Sequence, residues 1–135
     1  MSPIFPSMEW LRSLDEKLNS DERYADIAKK WEGDIIIVIE PEGNLNVRRI
    51  FYLDLWHGTC RGVAELADPS EKEAVFVLTA TYENIKRILT GKLDPMQAML
   101  TRKLSVKGNL AVMMRSVPTV LDFVRCAREI TNEII

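Results

Sequence analysis

The apolar positions of residues 7–31 recur every three or four residues, which is the spacing of amphipathic helices. Ser7 is suited to capping a first helix, and Ser20 with Asp21 opens a second helix that Gly33 ends. The apolar positions are Met8, Leu11, Leu14 and Leu18, followed by Tyr24, Ile27, Ala28 and Trp31. Each helix therefore has one apolar face that must pack on another element.

From residue 35 onward the period of the pattern changes to two, which is typical of β-strands. Residues 35–39 are β-branched throughout and apolar on both faces, so we expect a central strand that is covered, at least in part, on both sides. Residues 104–107 alternate and lie among lysines, as an edge strand does. Three more strands are predicted at residues 50–56, 59–66 and 74–80.

Helical spacing returns in the second half of the chain. Thr81 caps one helix, and Asp94 followed by Pro95 is a strong start for another. Asn109 caps a last helical region, which Pro118 should split because proline lacks an N–H donor. Its apolar stripe is expected to run to the terminus through Leu110, Met113, Met114, Val117, Leu121, Val124, Ile130 and Ile134.

These elements predict an α+β fold, in which a mostly antiparallel sheet carries helices on one face. A chain of 135 residues is expected to form one domain, here 1–135. We divide it into N-terminal helices (1–33), a sheet with core helices (34–117) and an extra C-terminal helix (118–135).

Composition excludes several classes of function. A net charge of −2, from 18 basic and 20 acidic residues, does not favour nucleic-acid binding, which needs a basic stripe. The longest apolar run, residues 35–39, is too short to span a bilayer, and the N-terminus lacks the pattern of a signal peptide. The two cysteines have no metal-ligand spacing and indicate reduced thiols, so we expect a cytoplasmic protein without metal or cofactor.

Candidate catalytic groups are few. His57, the only histidine, lies in a predicted hairpin turn, where a structural role is favoured over that of a base. Cys60 is close enough in sequence to pair with it, but no orienting third group or oxyanion hole is evident. We expect no enzyme and assign no catalytic residue, and thiol catalysis by this pair is a disfavoured alternative.

Four of the six methionines lie within residues 94–114. Methionine is flexible and polarizable, so this cluster indicates either core packing or a cavity wall that adapts to a guest. If the helices stand off the sheet, the gap is an apolar slot, and a cation at its mouth would meet an anionic head group. The candidates for that cation are Arg23, Arg49, Arg102 and Arg115.

The segment FVLTATYENIKRILTGKLDPMQAMLTRKLSVKGNLAVMM, residues 76–114, resembles the signature half of the sterol carrier protein type two family. In that family a strand leads into a helix ending in Gly-Lys-Leu, and a short helix opening with Asp-Pro or Asn-Pro follows. A strand ending in Lys-Gly and an amphipathic helix come next. The matching positions are Gly91-Lys92-Leu93, Asp94-Pro95, Ala98, Lys107-Gly108 and Asn109, and the resemblance extends over residues 24–121.

The resemblance implies a five-stranded, mostly antiparallel sheet in the order 3-2-1-4-5, counted from the strand at residues 35–39. It implies helices over one face and a hydrophobic tunnel that takes fatty acids, acyl-CoA, sterols or phospholipids, with no catalytic residue. The expected ligand-binding residues come from the positions that match the family and, past residue 114, from the apolar stripe of the last helical region. They are Phe76, Leu78, Ile85, Ile88, Leu89, Met96, Met99, Leu100, Leu110, Met113, Met114, Val117 and Leu121.

Two functions are therefore expected from the sequence. The favoured one is a lipid-binding or carrier protein without catalysis, which contacts membranes at most transiently. The alternative is an interaction or dimerisation module whose apolar helical face binds a partner protein, or a second subunit through the C-terminal helix.

Overall fold

The computed structural model describes residues 3–135, so residues 1 and 2 of the expected domain lie outside the described residues. The chain begins with strand β1 (Ile4–Phe5), helix α1 (Met8–Ser20) and helix α2 (Glu22–Ile27). The predicted caps are confirmed, since the side chains of Ser7 and Asp21 accept hydrogen bonds from the first turns of α1 and α2. Helix α2 ends well before Gly33, so Trp31 lies outside the helix, just after the turn at residues 28–30.

The main sheet has five strands, and the fold class predicted from the sequence is confirmed. The strands are β2 (Ile35–Glu40), β3 (Arg49–Trp56), β4 (Thr59–Leu66), β5 (Phe76–Thr81) and β6 (Ser105–Lys107). Their order is β4-β3-β2-β5-β6, which is 3-2-1-4-5 when the strands are counted from β2. Strands β2 and β5 are parallel, and the other neighbouring pairs are antiparallel.

A short 3-10 helix (Pro69–Glu71) and four α-helices lie in the second half of the chain. The α-helices are α3 (Tyr82–Leu89), α4 (Pro95–Leu100), α5 (Leu110–Arg115) and α6 (Val117–Glu129). Each of the first three begins at its predicted cap, because the side chains of Thr81, Asp94 and Asn109 accept backbone N–H groups of the first turn. The split predicted near Pro118 is also confirmed, since α5 ends and α6 begins around Ser116.

The expectation of a helix from residue 118 to the terminus is wrong for the last residues. Helix α6 ends at Glu129, and strand β7 (Glu133–Ile134) pairs in parallel with β1. The terminus is also held by two hydrogen bonds of Ile135, whose N–H donates to the Phe5 carbonyl and whose carbonyl accepts from the Tyr82 hydroxyl. Isoleucine is β-branched and favours extended backbone, which suits this pairing better than another helical turn.

Alternation along β2 assigns its side chains to the two faces of the sheet. Ile35, Ile37 and Ile39 belong to the main core, which also contains side chains of the helices. Ile36 and Val38 belong to a smaller cluster with Ile50 on the opposite face. Both faces of β2 are thus apolar and covered, and the helices pack on the face of Ile35, Ile37 and Ile39.

Candidate functional site

Two small cavities lie side by side between the sheet and the helices. Their volumes are about 100 Å³ and about 50 Å³. Four side chains, namely those of Leu78, Met99, Val120 and Phe123, line both of them. These four groups therefore form the partition between the cavities, and the sequence-based expectation of one continuous tunnel corresponds here to two separate spaces.

The floor of the larger cavity is the helix-covered face of the sheet. Ile37 and Ile39 of β2, Phe51 of β3 and Leu78 of β5 reach it from adjacent strands. They are neighbours because Ile37 is paired with both Phe51 and Leu78 in the sheet register.

The roof of the larger cavity comes from the helices, and one end comes from β1 and α1. Helix α3 contributes Ile85, Ile88 and Leu89, whose i, i+3, i+4 spacing places them on one face. Helix α6 contributes a series with the same spacing, Val120, Phe123, Val124 and Ala127. At one end Phe5 and Trp10 meet edge to face, with ring centroids 4.7 Å apart.

The side chains that line the two cavities are almost all apolar. Every side chain on the larger cavity is a hydrocarbon, a thioether, the indole of Trp10 or proline. The Trp10 indole N–H is already used, since it donates to Thr131 Oγ1 at 2.8 Å. The smaller cavity adds Tyr24 and Thr119, and burial raises the pKa of the Tyr24 hydroxyl. Such walls can hold an apolar chain without desolvating a polar group, but they offer no charge to a head group inside.

Six of the thirteen predicted ligand-binding residues line one or both cavities. They are Leu78, Ile85, Ile88, Leu89, Met99 and Met113. The structure thus brings residues from β5, α3, α4 and α5 to one place, as the resemblance implied. Whether they contact a ligand stays a prediction.

The other seven predicted residues do not line either cavity. Phe76 is buried and packs on Trp31, with ring centroids 5.5 Å apart. Met96, Met114 and Val117 are partly buried. Leu100, Leu110 and Leu121 are 66%, 46% and 42% exposed, so their side chains are largely on the surface.

Several lining residues were missed by reasoning from the sequence. They include Phe5, Trp10, Ile37, Ile39, Phe51, Leu104, Val120, Phe123, Val124 and Ala127. The alternation of β2 could have pointed to Ile37 and Ile39. On α6 the expected stripe followed Val117, Leu121 and Val124, whereas the side chains that line the larger cavity are Val120, Phe123, Val124 and Ala127, so the two sets share only Val124.

None of the four arginines considered for a head group lines either cavity. Arg23 lies 3.4 Å from a carboxylate oxygen of Asp122, and Arg49 pairs with Glu65. Arg102 and Arg115 make no ion pair with any residue from 3 to 135. They are therefore the two candidates that remain available to an anion.

A cluster of acidic groups and a thiol also lies near α6. Atoms of Asp21, Asp122 and Cys126 fall within 4.8 Å of one another, a spacing that could hold a metal ion. Arg125 already occupies both carboxylates, with hydrogen bonds of 2.7 to 3.2 Å. Arg125 holds the pKa of Asp21 well below its usual range, and the chemistry of the cluster is that of an ion pair.

His57 and Cys60 have separate partners. His57 lies in an exposed turn, where its Nε2 is 2.5 Å from a carboxylate oxygen of Glu32 and its ring stacks on Trp56. Cys60 is buried, and burial raises the pKa of its thiol to about 12. A protonated thiol is a weak nucleophile, so the geometry does not favour the thiol-catalysis alternative.

The tail after Val117 is used within the chain. One face of α6 lines the cavities, and β7 pairs with β1. A homodimer through the C-terminal helix stays a prediction, for which Leu121 is the large exposed apolar side chain on α6. Within residues 3–135, no helix combines the length and the hydropathy that a membrane span requires.

Comparison with known proteins gives a consistent result. The model of the SCP-2 sterol transfer family matches residues 11–120. The crystal structure of sterol carrier protein 2 is 31% identical, with a TM-score of 0.82 over 90% of this chain and 95% of that one. A possible sterol carrier protein from Thermus thermophilus is 30% identical, with a TM-score of 0.83 over 93% of this chain and 89% of that one.

One further similarity is to part of an enzyme. A variant of the sec-alkyl sulfatase PisA1 matches 84% of this chain but only 16% of its own, at 16% identity and a TM-score of 0.59. At that identity the likeness concerns the fold alone. No curated protein sequence matches the chain.

Proposed function

The chain belongs to the SCP-2 sterol transfer family, and on that premise we propose that it binds and carries a lipid in the cavities between its sheet and its helices. The lipid would be a fatty acid, a fatty acyl-CoA, a phospholipid or a sterol. The observation that carries this proposal is the larger cavity, whose walls are apolar throughout. An apolar chain placed there leaves water without stripping water from a polar wall.

The cavities must expand to take such a guest. Their volumes, about 100 Å³ and about 50 Å³, are below the roughly 300 Å³ at which pockets for drug-sized ligands begin. Met99 and Phe123 belong to the partition, and an unbranched thioether can change rotamer at low cost. We infer that a lipid chain displaces this partition and joins the two spaces into one.

The proposal includes no catalysis. The raised pKa of Cys60 and the exposed position of His57 support a carrier over an enzyme. Two cysteines without a disulfide suit a reducing compartment, so we propose a cytoplasmic location.

Extraction of the purified protein followed by mass spectrometry tests the proposal, together with displacement of a fluorescent fatty acid. We expect a co-purified lipid, or saturable uptake of the probe at micromolar protein that unlabelled fatty acid reverses. A folded protein that contains no lipid and takes up no probe would contradict it.

A further inference from the structure

An open hollow between α4, β6 and α5 combines exposed leucines with a cation. Leu100 and Leu110 line it together with Arg102. Its other lining residues are Met99, Leu104, Ser105 and Val106. Large leucines beside a cation on the surface of a small protein indicate an interaction site.

The hollow and the larger cavity share a wall. Met99 and Leu104 line both of them, and each is less than a tenth exposed. These two side chains therefore separate the protein surface from the cavity interior at this point. A chain that enters from the hollow needs to displace only this wall, and Met99 also belongs to the partition between the two cavities.

The surrounding segment differs in charge from the rest of the protein. Residues 95–121 contain no Asp or Glu and four cations, which are Arg102, Lys103, Lys107 and Arg115. The net charge of the whole chain is −2 and that of this segment is +4, so the net charge of the remaining residues is −6. None of the four cations forms an ion pair within the described part of the chain. Lys107 and Arg115 line other hollows of the surface, so the cations that belong to this one are Arg102, which lines it, and Lys103, its neighbour in sequence. An anionic surface would attract this segment more than the acidic remainder of the chain.

We propose that this hollow docks on an anionic phospholipid bilayer, and that lipid passes between the bilayer and the larger cavity at Met99 and Leu104. Leu100 and Leu110 insert at the level of the acyl chains, and Arg102 and Lys103 meet head-group phosphates. The passage of lipid rests on the proposed function, whereas docking itself does not.

Co-sedimentation of the full chain with vesicles tests the docking. The vesicles are phosphatidylcholine alone or phosphatidylcholine with about 30% phosphatidylserine. We expect binding to the anionic vesicles that weakens as salt rises. The double variant Arg102→Glu/Lys103→Glu should bind at least about 20-fold more weakly, since each surface cation contributes about 5-fold.

Two further double variants distinguish the contribution of the leucines to vesicle binding from that of the net charge of the protein. Leu100→Ser/Leu110→Ser should weaken vesicle binding without changing the melting temperature by more than a few degrees, because both side chains are already exposed. The control Arg12→Glu/Lys29→Glu changes the net charge by the same amount at exposed positions on and after the N-terminal helices, and should bind like the unmodified chain.

The proposal is wrong if the folded chain does not bind anionic vesicles, or if the control variant loses as much binding as Arg102→Glu/Lys103→Glu. The proposal is also wrong if the unmodified chain does not bind vesicles but forms a dimer that Leu110→Ser dissociates. That result would assign the hollow to a second copy of the chain. Uptake of a fluorescent fatty acid in the absence of vesicles is measured separately. Uptake without docking overturns this inference alone. Docking without uptake overturns the proposed function and the passage of lipid that rests on it, and leaves the docking surface standing.

Discussion

Arg125 and Asp21 are 104 positions apart in the chain and are joined by two hydrogen bonds, of 2.7 and 3.2 Å. Asp21 is also the N-cap of α2, and Arg125 lies on α6 next to Val124, which lines the larger cavity. The same guanidinium bonds Asp122, whose side chain is 3% exposed. This ion pair therefore ties the helix that roofs the cavity to the N-terminal helices.

Replacement of this arginine is the first test of that role. Arg125→Ala should lower the free energy of unfolding by about 3 kcal/mol, because it leaves the buried Asp122 carboxylate without its main partner. Arg23→Ala is the matched control, since Arg23 is 69% exposed and contacts the same carboxylate at 3.4 Å, and it should cost about 0.5 kcal/mol. Urea unfolding measures both. Equal losses would contradict the assigned role of Arg125.

Acid should weaken the protein through the same pair. The hydrogen bonds from Arg125 lower the pKa of Asp21, so the folded state holds this carboxylate ionised at a pH where the unfolded chain protonates it. Stability from this group is therefore fully present above about pH 5 and is lost as the pH falls below about 4.

The comparison variant Asp21→Asn keeps a good helix cap but removes the charge. Its unfolding midpoint in urea should be lower than that of the unmodified chain at about pH 7 and should fall less between about pH 5 and about pH 3. Parallel pH profiles for the two proteins would contradict the prediction.

Two methionines on α4 allow a residue of the cavity wall to be compared with a residue that does not line a cavity. Met99 lines both cavities and is 7% exposed, whereas Met96 lines neither and is partly buried. Met99→Ala should cost about 2 to 3 kcal/mol in free energy of unfolding, and Met96→Ala about 1 kcal/mol. Bound lipid should restore part of the loss only in Met99→Ala, because the chain fills the space that the thioether leaves. Melting temperatures with and without fatty acid check this expectation.

Both thiols should be unreactive in the folded protein. Burial raises the pKa of Cys60 to about 12 and that of Cys126 to about 11, so little thiolate exists near neutral pH. We expect alkylation by iodoacetamide at least about 100-fold slower than for a free thiol, with both cysteines reacting once the chain is unfolded. Rapid modification of native Cys60 would revive the thiol-catalysis alternative.

The parts of the fold that depend on neighbouring residues could be predicted from the sequence. The caps at Ser7, Thr81, Asp94 and Asn109 were recognisable because a short polar side chain bonds an N–H group two or three residues later. The central position of β2 was recognisable because its side chains are apolar on both faces. These signals are local and need no knowledge of distant contacts.

What sequence reasoning missed depends on distant contacts and on helical phase. The pairing of Phe5 with Ile134 joins the two ends of the chain, and two-residue strands have no periodicity to reveal them. On α6 the adjacent residues Val120 and Leu121 both fit an apolar stripe, and only the packing of the helix on the sheet decides that Val120 and Phe123 line the cavity. Met99, which lines both cavities, was included because the whole face of α4 was transferred from the family pattern, together with Met96 and Leu100, which line neither.

Quenching of single tryptophans by a brominated fatty acid tests the location of the lipid most directly. Trp10 lines the larger cavity, whereas Trp56 is 37% exposed and lies at the end of β3, stacked on His57. A variant that keeps only Trp10, made by Trp31→Phe and Trp56→Phe, is compared with one that keeps only Trp56, made by Trp10→Phe and Trp31→Phe.

We predict saturable quenching of Trp10 at the stoichiometry of one fatty acid per chain and little quenching of Trp56. Equal quenching of both tryptophans, or none of Trp10 in a folded protein, would contradict a lipid site between the sheet and the helices.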